Sequence, residues 1–354
     1  MELDYMSAKD AAHLWGISQR RVAVLCAEDR IPNVTMIGNM WLIPKTAKKP
    51  IDGRSSKDNC TKSLKPFVKW AGGKSQLISE ISSKYSSELG KSIDKYAEPF
   101  VGGGAILLDI LSKYQLSKAY ISDINSELIN TYICVRDNVD ELIQRLYAFE
   151  NAFLPLDTEY RKVLFYSNRA RFNELAINKI YNTEAAALFI FLNKTCFNGL
   201  YRVNKTGLYN VPMGSYINPT ICDEENLTAV SEALSNVEIV CADYRESASF
   251  IDDKTFVYFD PPYRPLNTTS SFTSYNEETF DDKSQIELAN YVQKLAKRGA
   301  HIVLSNSDPK NTDPNDDFFD FLYAKQSIER IQASRMINSN GNSRGKISEL
   351  LICN

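Results

Sequence analysis

The sequence predicts an α/β protein: a βαβ-type open sheet, interrupted by a helical insertion and preceded by a small helix-turn-helix module. Three observations predict it. Short β-prone runs ending in polar or glycine-rich turns alternate with helical patterns over residues 96–123 and again from 237 onward. The run Phe256-Val257-Tyr258-Phe259 reads as a buried strand stopped abruptly by Asp260-Pro261-Pro262-Tyr263. Between these halves, residues 125–235 carry mainly helical periodicity.

A length of 354 residues fits two or three domains, and 44% hydrophobic with 24% charged residues is ordinary for a globular chain. The seven cysteines form no Cys-x-x-Cys pair and read as reduced thiols of a cytosol, neither a disulfide frame nor a zinc site. With two histidines, His13 and His301, no metal site is expected. No apolar run approaches the roughly 18 residues of a spanning helix, so no membrane association and a cytoplasmic location are expected. A net charge of −3 means that any nucleic-acid surface must be a local basic patch.

Taken in order, residues 1–50 form the front module. Ser7 can cap a helix reaching Trp15, Gly16-Ile17-Ser18 makes a turn, and Gln19 to Glu28 continue helically. That is helix-turn-helix spacing, with Arg20 and Arg21 at the start of the second helix, where recognition helices face the DNA groove. Val34–Ile37 and Met40–Ile43 around Gly38-Asn39 read as a hairpin wing. Seven Lys/Arg stand against five Asp/Glu here; a small domain for protein contacts is the alternative. Residues 51–65 are polar and weakly patterned, a linker.

Residues 66–140 and 236–354 read as one catalytic domain and 141–235 as its insertion. Gly73-Lys74-Ser75 resembles a phosphate loop, but Val68 stands where that loop needs glycine, so a nucleoside triphosphatase loses its main support. Tyr96–Phe100 is a strand running into Val101-Gly102-Gly103-Gly104 and a helix from Ala105 to about Tyr114, the first half of a nucleotide-binding unit. Leu107 replaces the third glycine of the dinucleotide fingerprint, which disfavours a pyrophosphate. The next strand, Ala119–Asp123, ends in a carboxylate about 20 residues beyond Gly103, the place of a ribose acceptor. A ribose without a pyrophosphate points to S-adenosylmethionine.

Within the insertion, helical patterns cover Glu141–Asn151, Tyr160–Leu175 and Thr183–Asn193. It ends in a stretch read as a β-hairpin about Tyr201 and Tyr209, its rings alternating with Asn198, Arg202 and Lys205, as base stacking and base-edge readout require. Strands follow at Val237–Tyr244, Phe256–Phe259 and His301–Asn306, a helix at Asp281–Lys297, and an antiparallel pair at Ser327–Ala333 and Glu349–Cys353. The polar loop 338–346 carries two cations. In the Asp260 corner, Pro261 and Pro262 lack N–H groups and stiffen the turn. Asp260 and a neighbouring carbonyl can accept both N–H bonds of an amino group on a planar substrate, with Tyr263 stacked on its ring.

Five ordered motifs now stand together: Lys69-Trp70-Ala71-Gly72-Gly73-Lys74, Phe100-Val101-Gly102-Gly103-Gly104, Phe197-Asn198-Gly199-Leu200 with Arg202, Asn210-Val211-Pro212, and Asp260-Pro261-Pro262-Tyr263. Over about residues 66–354 the chain resembles the Dam-like DNA adenine-N6 methyltransferases (D12 class, alpha group). The resemblance implies a Rossmann-like methyltransferase sheet with a helical target-recognition insertion, S-adenosylmethionine as cofactor and duplex DNA as partner. It places Trp70, Lys74, Phe100, Gly102, Gly104, Asp123 and Asp260 at the cofactor, with Asp243 and Tyr244 near its adenine. Catalysis falls to Asp260, Pro261 and Tyr263, acting on an adenine flipped out of the stack. DNA contacts carry over to Lys69, Phe197, Asn198, Leu200, Arg202 and Pro212, beside Arg20 and Arg21 of the front module. Members with arginine at the place of Arg202 read GATC. Phe197 replaces a tyrosine of some relatives, which keeps stacking and removes a hydroxyl. A monomer is expected. Methyl transfer to RNA or to a protein amide is the alternative for the catalytic corner, and, given the helix-turn-helix, a transcription regulator that senses S-adenosylmethionine is the alternative for the protein as a whole.

Overall fold

A computed structural model describes residues 5–15, 19–27, 30–38, 40–47, 64–264, 280–334 and 346–354. The chain divides into two compact units, Met1–Thr61 and Lys62–Asn354. In the first, strand β1 (Tyr5–Ser7) leads into helix α1 (Ala8–Trp15), followed by α2 (Gln19–Ala27) and strands β2 (Thr35–Ile37) and β3 (Met40–Pro44). The helix starts where the sequence places it. Ser7 Oγ accepts the Asp10 N–H (3.2 Å) and Asp10 Oδ2 accepts the Ser7 N–H (3.1 Å), a reciprocal cap that satisfies two donors at the helix start. The strand Tyr5–Ser7 was not foreseen; it adds to β3 and makes a three-stranded antiparallel sheet in the order β1-β3-β2. Ala11, Val22, Leu25, Cys26, Ile31 and Ile43 close a small core between sheet and helices. The turn Gly16–Ser18, the side chains of Arg20 and Arg21, and most of the linker lie outside the described residues.

The second unit begins with a short helix α3 (Ile78–Ser82) and then alternates: β4 (Lys95–Glu98), α4 (Ala105–Lys113), β5 (Lys118–Asp123). Five helices follow, α5 (Ser126–Asp137), α6 (Val139–Phe153), α7 (Thr158–Ile177), α8 (Thr183–Thr195) and α9 (Glu224–Leu234). Alternation resumes with β6 (Val237–Cys241), β7 (Thr255–Phe259), α10 (Asp282–Lys297), β8 (His301–Ser307), α11 (Phe318–Leu322), β9 (Ser327–Ser334) and β10 (Lys346–Cys353). The seven-stranded sheet has the order β6-β5-β4-β7-β8-β10-β9, parallel through β8 and antiparallel at β10 and β9.

Strand β7 sits at the centre, and every residue of it is buried. Its side chains alternate between two cores. Phe256 and Tyr258 pack with α4 to α9 on one face, while Val257 and Phe259 pack with α10 and α11 on the other. Burying each such ring or branched chain is worth about 1.5–3 kcal/mol, so the tip of β7 is a rigid platform. Because the chain runs to β5 and β6 on one side of β4 and to β7 and β8 on the other, the strand order reverses between β4 and β7. That reversal opens a crevice at the carboxyl ends of the strands.

Helix α8 is buried on nearly all sides, from Thr183 to Thr195, and forms the axis of the helical layer. Its neighbour α5, and α9 packed against α5 and α6, were not foreseen. Helix α5 turns Asn130 and Thr131 inward beside Tyr132, so its apolar period is broken. The hairpin about Tyr201 and Tyr209 is present but short: Val203 bridges Tyr209, the Asn204 N–H donates to the Leu208 carbonyl (2.9 Å) and the Asn210 N–H to the Arg202 carbonyl (3.1 Å), around a turn in which the Asn204 carbonyl accepts the Gly207 N–H (2.9 Å). What needs correction is the role of its rings: Tyr201 and Tyr209 are buried among Phe172 and Phe189. These two rings build core and are not a platform for bases. Of loop 338–346, residues through 345 lie outside the described residues.

Candidate active site

The glycine turn after β4 lies in the crevice. Gly102 (φ 46°) and Gly104 (φ 69°) adopt left-handed backbone, and Gly104 caps α4. A Cβ on Gly104 would lie 2.3 Å from Tyr132 Oη, and one on Gly102 would lie 2.8 Å from Trp70 Cδ1. Tyr132 donates to the Gly102 carbonyl (3.1 Å), so indole and phenol brace the turn from outside. Across from it at the tip of β5, Asp123 accepts the Gly102 N–H on Oδ2 (3.2 Å) and the Asn125 N–H on Oδ1 (2.9 Å). Burial raises the Asp123 carboxyl, and those main-chain donors oppose the rise.

At the neighbouring tip, Asp260 is held by two partners. Lys74 Nζ lies 2.8 Å from Oδ1, and Ser305 Oγ, from the end of β8, donates to the same oxygen (3.1 Å). Ser305 in turn meets the Tyr258 hydroxyl (2.8 Å). The Asp260 side chain keeps 22% exposure, enough for an incoming donor to reach it. Burial raises its carboxyl above the usual aspartate range, while the Lys74 ammonium and the Ser305 hydroxyl pull it back. Lys74 itself is buried, donates to the Gly72 carbonyl (2.6 Å), and stands 4.7 Å from the centre of the Tyr263 ring. Tyr263 is anchored through its hydroxyl to Glu349 of β10 (2.9 Å). Beneath them, Glu98 at the end of β4 is 2% exposed and accepts the Tyr96 hydroxyl (2.7 Å). Desolvation pushes its carboxyl up to about 8.

The remaining expected residues fall into two groups. Phe100 stacks on Tyr244 (5.3 Å between ring centres), and Asp243, at the end of β6, caps the next turn by accepting the Arg245 N–H (3.0 Å). Phe197, Asn198, Arg202 and Pro212 are exposed together on the loop after α8, Leu200 is half-buried there, and Pro212 accepts the Phe197 N–H (2.9 Å). Arg202 Nε donates to Asn210 Oδ1 (2.7 Å), which aims the guanidinium. Lys69 is exposed, with Nζ 3.1 Å from the Tyr216 hydroxyl.

Sequence reasoning missed the residue that ties these groups together. Asn193, buried at the end of α8, accepts the Lys69 N–H (2.8 Å) and donates to the carbonyls of Lys69 (2.8 Å) and Gly199 (2.9 Å). A Cβ on Gly199 (φ 65°) would collide with Lys69 Cδ at 2.4 Å. The Lys69–Trp70 segment therefore touches the Phe197–Gly199 turn on one side and, through Trp70, the glycine turn on the other. Ser305 and Tyr132 were missed as well. The available signals were a polar residue ending an apolar run, for Asn193 and Ser305, and no sequence signal for Tyr132. Among the described residues, no group of three His, Cys, Asp or Glu could hold a metal ion, and no helix is long and apolar enough to cross a membrane.

Residues 70–337 match the family described as D12 class N6 adenine-specific DNA methyltransferase. The chain is 50% identical over 293 residues to the type II methyltransferase M.MjaIII of Methanocaldococcus jannaschii, covering 82% of this chain and 99% of that protein. It is 36% identical to the type II methyltransferase M1.LlaDCHI of Lactococcus lactis subsp. cremoris, covering 82% and 95%. It is 34% identical over 290 residues to the DNA adenine methylase of Escherichia coli (strain K12), again covering 82% and 95%.

Proposed function

The chain belongs to the D12 class of N6 adenine-specific DNA methyltransferases, and from that premise we propose that the Asp260 corner holds the target amine while the glycine turn holds the methyl donor. The protein is an S-adenosylmethionine-dependent enzyme that methylates adenine in DNA. S-adenosylmethionine supplies the methyl on a positively charged sulfur, which leaves as a neutral thioether. The turn fits such a nucleoside, because Gly102 and Gly104 leave no room for side chains and bring backbone to the crevice beside the Asp123 carboxylate. Trp70 and Phe100 flank it, and Asp243 with Tyr244 lies at the next strand tip, where the adenine end would reach.

Adenine N6 is a weak nucleophile because its lone pair is delocalised into the ring. In our reading Asp260 and the Pro261 carbonyl accept hydrogen bonds from its two N–H groups and hold them out of the ring plane, so that the lone pair faces the methyl; as the N–C bond forms and the S–C bond breaks, the nitrogen becomes positively charged and then releases one N–H proton to solvent. Lys74 keeps Asp260 ionised against the pull of burial, Ser305 orients it, and the Tyr263 ring stacks on the base. A base in duplex is beyond reach of this corner, so it must be extruded. The observation that carries the reading is the Lys74–Asp260 pair, 2.8 Å apart at the point where the strand order reverses. Asp260→Ala should abolish tritium transfer to DNA while binding of S-adenosylhomocysteine and of duplex persists. Full activity in that variant overturns the assignment.

The helices of residues 141–235 serve in this reading as the target-recognition insertion. Exposed Phe197, Asn198, Arg202 and Pro212 and half-buried Leu200, with Lys69, contact DNA, and Arg202 aimed by Asn210 reads a guanine of GATC. Tritium transfer to a GATC duplex compared with a scrambled duplex and with RNA tests the target, and equal transfer to all three sinks it. The front unit, two helices and a three-stranded sheet, serves as an accessory winged helix-turn-helix adding DNA contacts through Arg20 and Arg21.

A further inference from the structure

The segment that follows Asp260 is clamped by a polar network with no part in the reading above. Gln285, one turn into α10, and Asn306, near the end of β8, are both fully buried. Gln285 Nε2 donates to the Pro262 carbonyl (3.0 Å), and its Oε1 accepts from Asn306 Nδ2 (3.0 Å). Asn306 Oδ1 accepts the N–H groups of Arg264 (3.3 Å) and Ser307 (2.9 Å), and Ser307 Oγ donates to the Arg264 carbonyl (2.8 Å). The Arg264 guanidinium is then fixed by Asp282, the first residue of α10 (2.7 and 3.0 Å), and by Asp316 (2.6 Å). The Pro262 carbonyl and both main-chain polar groups of Arg264 are thus pinned by side chains of α10 and β8.

A proline pair removes two donors but leaves two carbonyls, and either could in principle face an amine. We propose that Gln285 is a positioning residue for methyl transfer: by engaging the Pro262 carbonyl it sets the peptide planes of the turn so that the Pro261 carbonyl is presented to the substrate amine beside Asp260. The inference rests on the assignment of the amine to Asp260 and Pro261. Its physical basis is valence. The Gln285 side chain is fully buried and uses acceptor and donor at once, so removing it takes a partner from both the Pro262 carbonyl and the buried Asn306 amide, and the turn can relax by rotating the Pro262 peptide. A displacement of about 1 Å at a reacting group is enough for a roughly 100-fold loss of rate.

Two variants test it. Gln285→Met matches the volume and cannot hydrogen-bond. It should lower kcat about 10- to 100-fold while the KM for duplex, the affinity for S-adenosylhomocysteine and the fluorescence of 2-aminopurine at the target position stay within about threefold of wild type. Gln285→Glu supplies a donor only while its carboxyl is neutral. Its kcat should therefore fall as pH rises through the titration of residue 285, a limb that wild type lacks. A Gln285→Met enzyme with kcat within twofold of wild type overturns the proposal, and so does a Gln285→Glu pH profile parallel to wild type. Should the methionine variant fail to fold, the glutamate profile alone decides. The assignment beneath fails separately: an active Asp260→Ala enzyme removes it, whereas an inactive Asp260→Ala enzyme with a fully active Gln285→Met enzyme removes only the role of Gln285.

Discussion

Glu98 offers the sharpest test of the electrostatics. It ends β4 directly below the crevice, is 2% exposed, and receives the Tyr96 hydroxyl at 2.7 Å. Burial is the largest influence; the Tyr96 hydroxyl opposes it, the nearby Asp260 carboxylate adds to it, and the Leu107 main chain and Lys74 oppose it more weakly, together moving the acid from 4.5 to about 8. A carboxyl that holds its proton when folded and loses it when unfolded makes stability fall as pH rises. The fall begins near the unfolded value, continues through the folded one, and then levels off. At 1.36 kcal/mol per pH unit, the interval from 4.5 to about 8 is worth roughly 4–5 kcal/mol. Glu98→Gln keeps the shape and the acceptor for Tyr96 and has no proton to lose. Urea unfolding of both proteins at pH 5, 6, 7, 8 and 9 should show the variant gaining on wild type by about 1.4 kcal/mol per unit up to pH 8 and no further. Parallel stability curves would refute the argument, since they would mean that Glu98 is ionised in the folded protein.

Four further outcomes follow from the contacts. Gly104→Ala places a methyl 2.3 Å from Tyr132 Oη at a left-handed φ of 69°, so thermal melting should show a loss of about 1–3 kcal/mol with weaker S-adenosylmethionine binding by calorimetry; an unchanged protein would mean the turn is not crowded. Asn193→Ala strands one N–H and two carbonyls, and a loss of about 2–4 kcal/mol with a raised KM for duplex is expected; intact kinetics would deny that Asn193 joins the two loops. Lys74→Met removes the cation that opposes burial at Asp260, so the carboxyl rises further and the acid limb of kcat moves to higher pH, whereas an unmoved limb would exclude the pair from catalysis. Removing residues 1–61 takes away a unit with its own core, and duplex methylation should stay within a few-fold of wild type.

What could be read from the chain, and what could not, divides along a physical line. Strand β7 was legible because four consecutive β-prone residues, Phe256 to Phe259, halted by Asp260-Pro261-Pro262 satisfy local and global preferences at once. The glycine turn was legible because left-handed backbone at Gly102 and Gly104 demands a residue type that can be seen. Helix α5 was not, since Asn130 and Thr131 point inward and find partners in the carbonyls of Asn182 and Glu127, a satisfaction that tertiary structure alone reveals. The rings of Tyr201 and Tyr209 misled for the opposite reason: an aromatic alternating with polar residues reads the same whether the ring meets a base or Phe189, and only burial separates the two. The same limit hides Gln285 and Asn306. Each is an unremarkable polar residue in an amphipathic helix or at a strand end, and each acquires its role only when β7, β8 and α10 bring Pro262, Arg264 and the two amides within 3.3 Å of one another. Residues that would touch the substrate thus declare themselves by type, as acid, proline, glycine or arginine. Those that hold them in place are defined by the partners they meet, so the supporting network is where structure adds most to what the sequence can say.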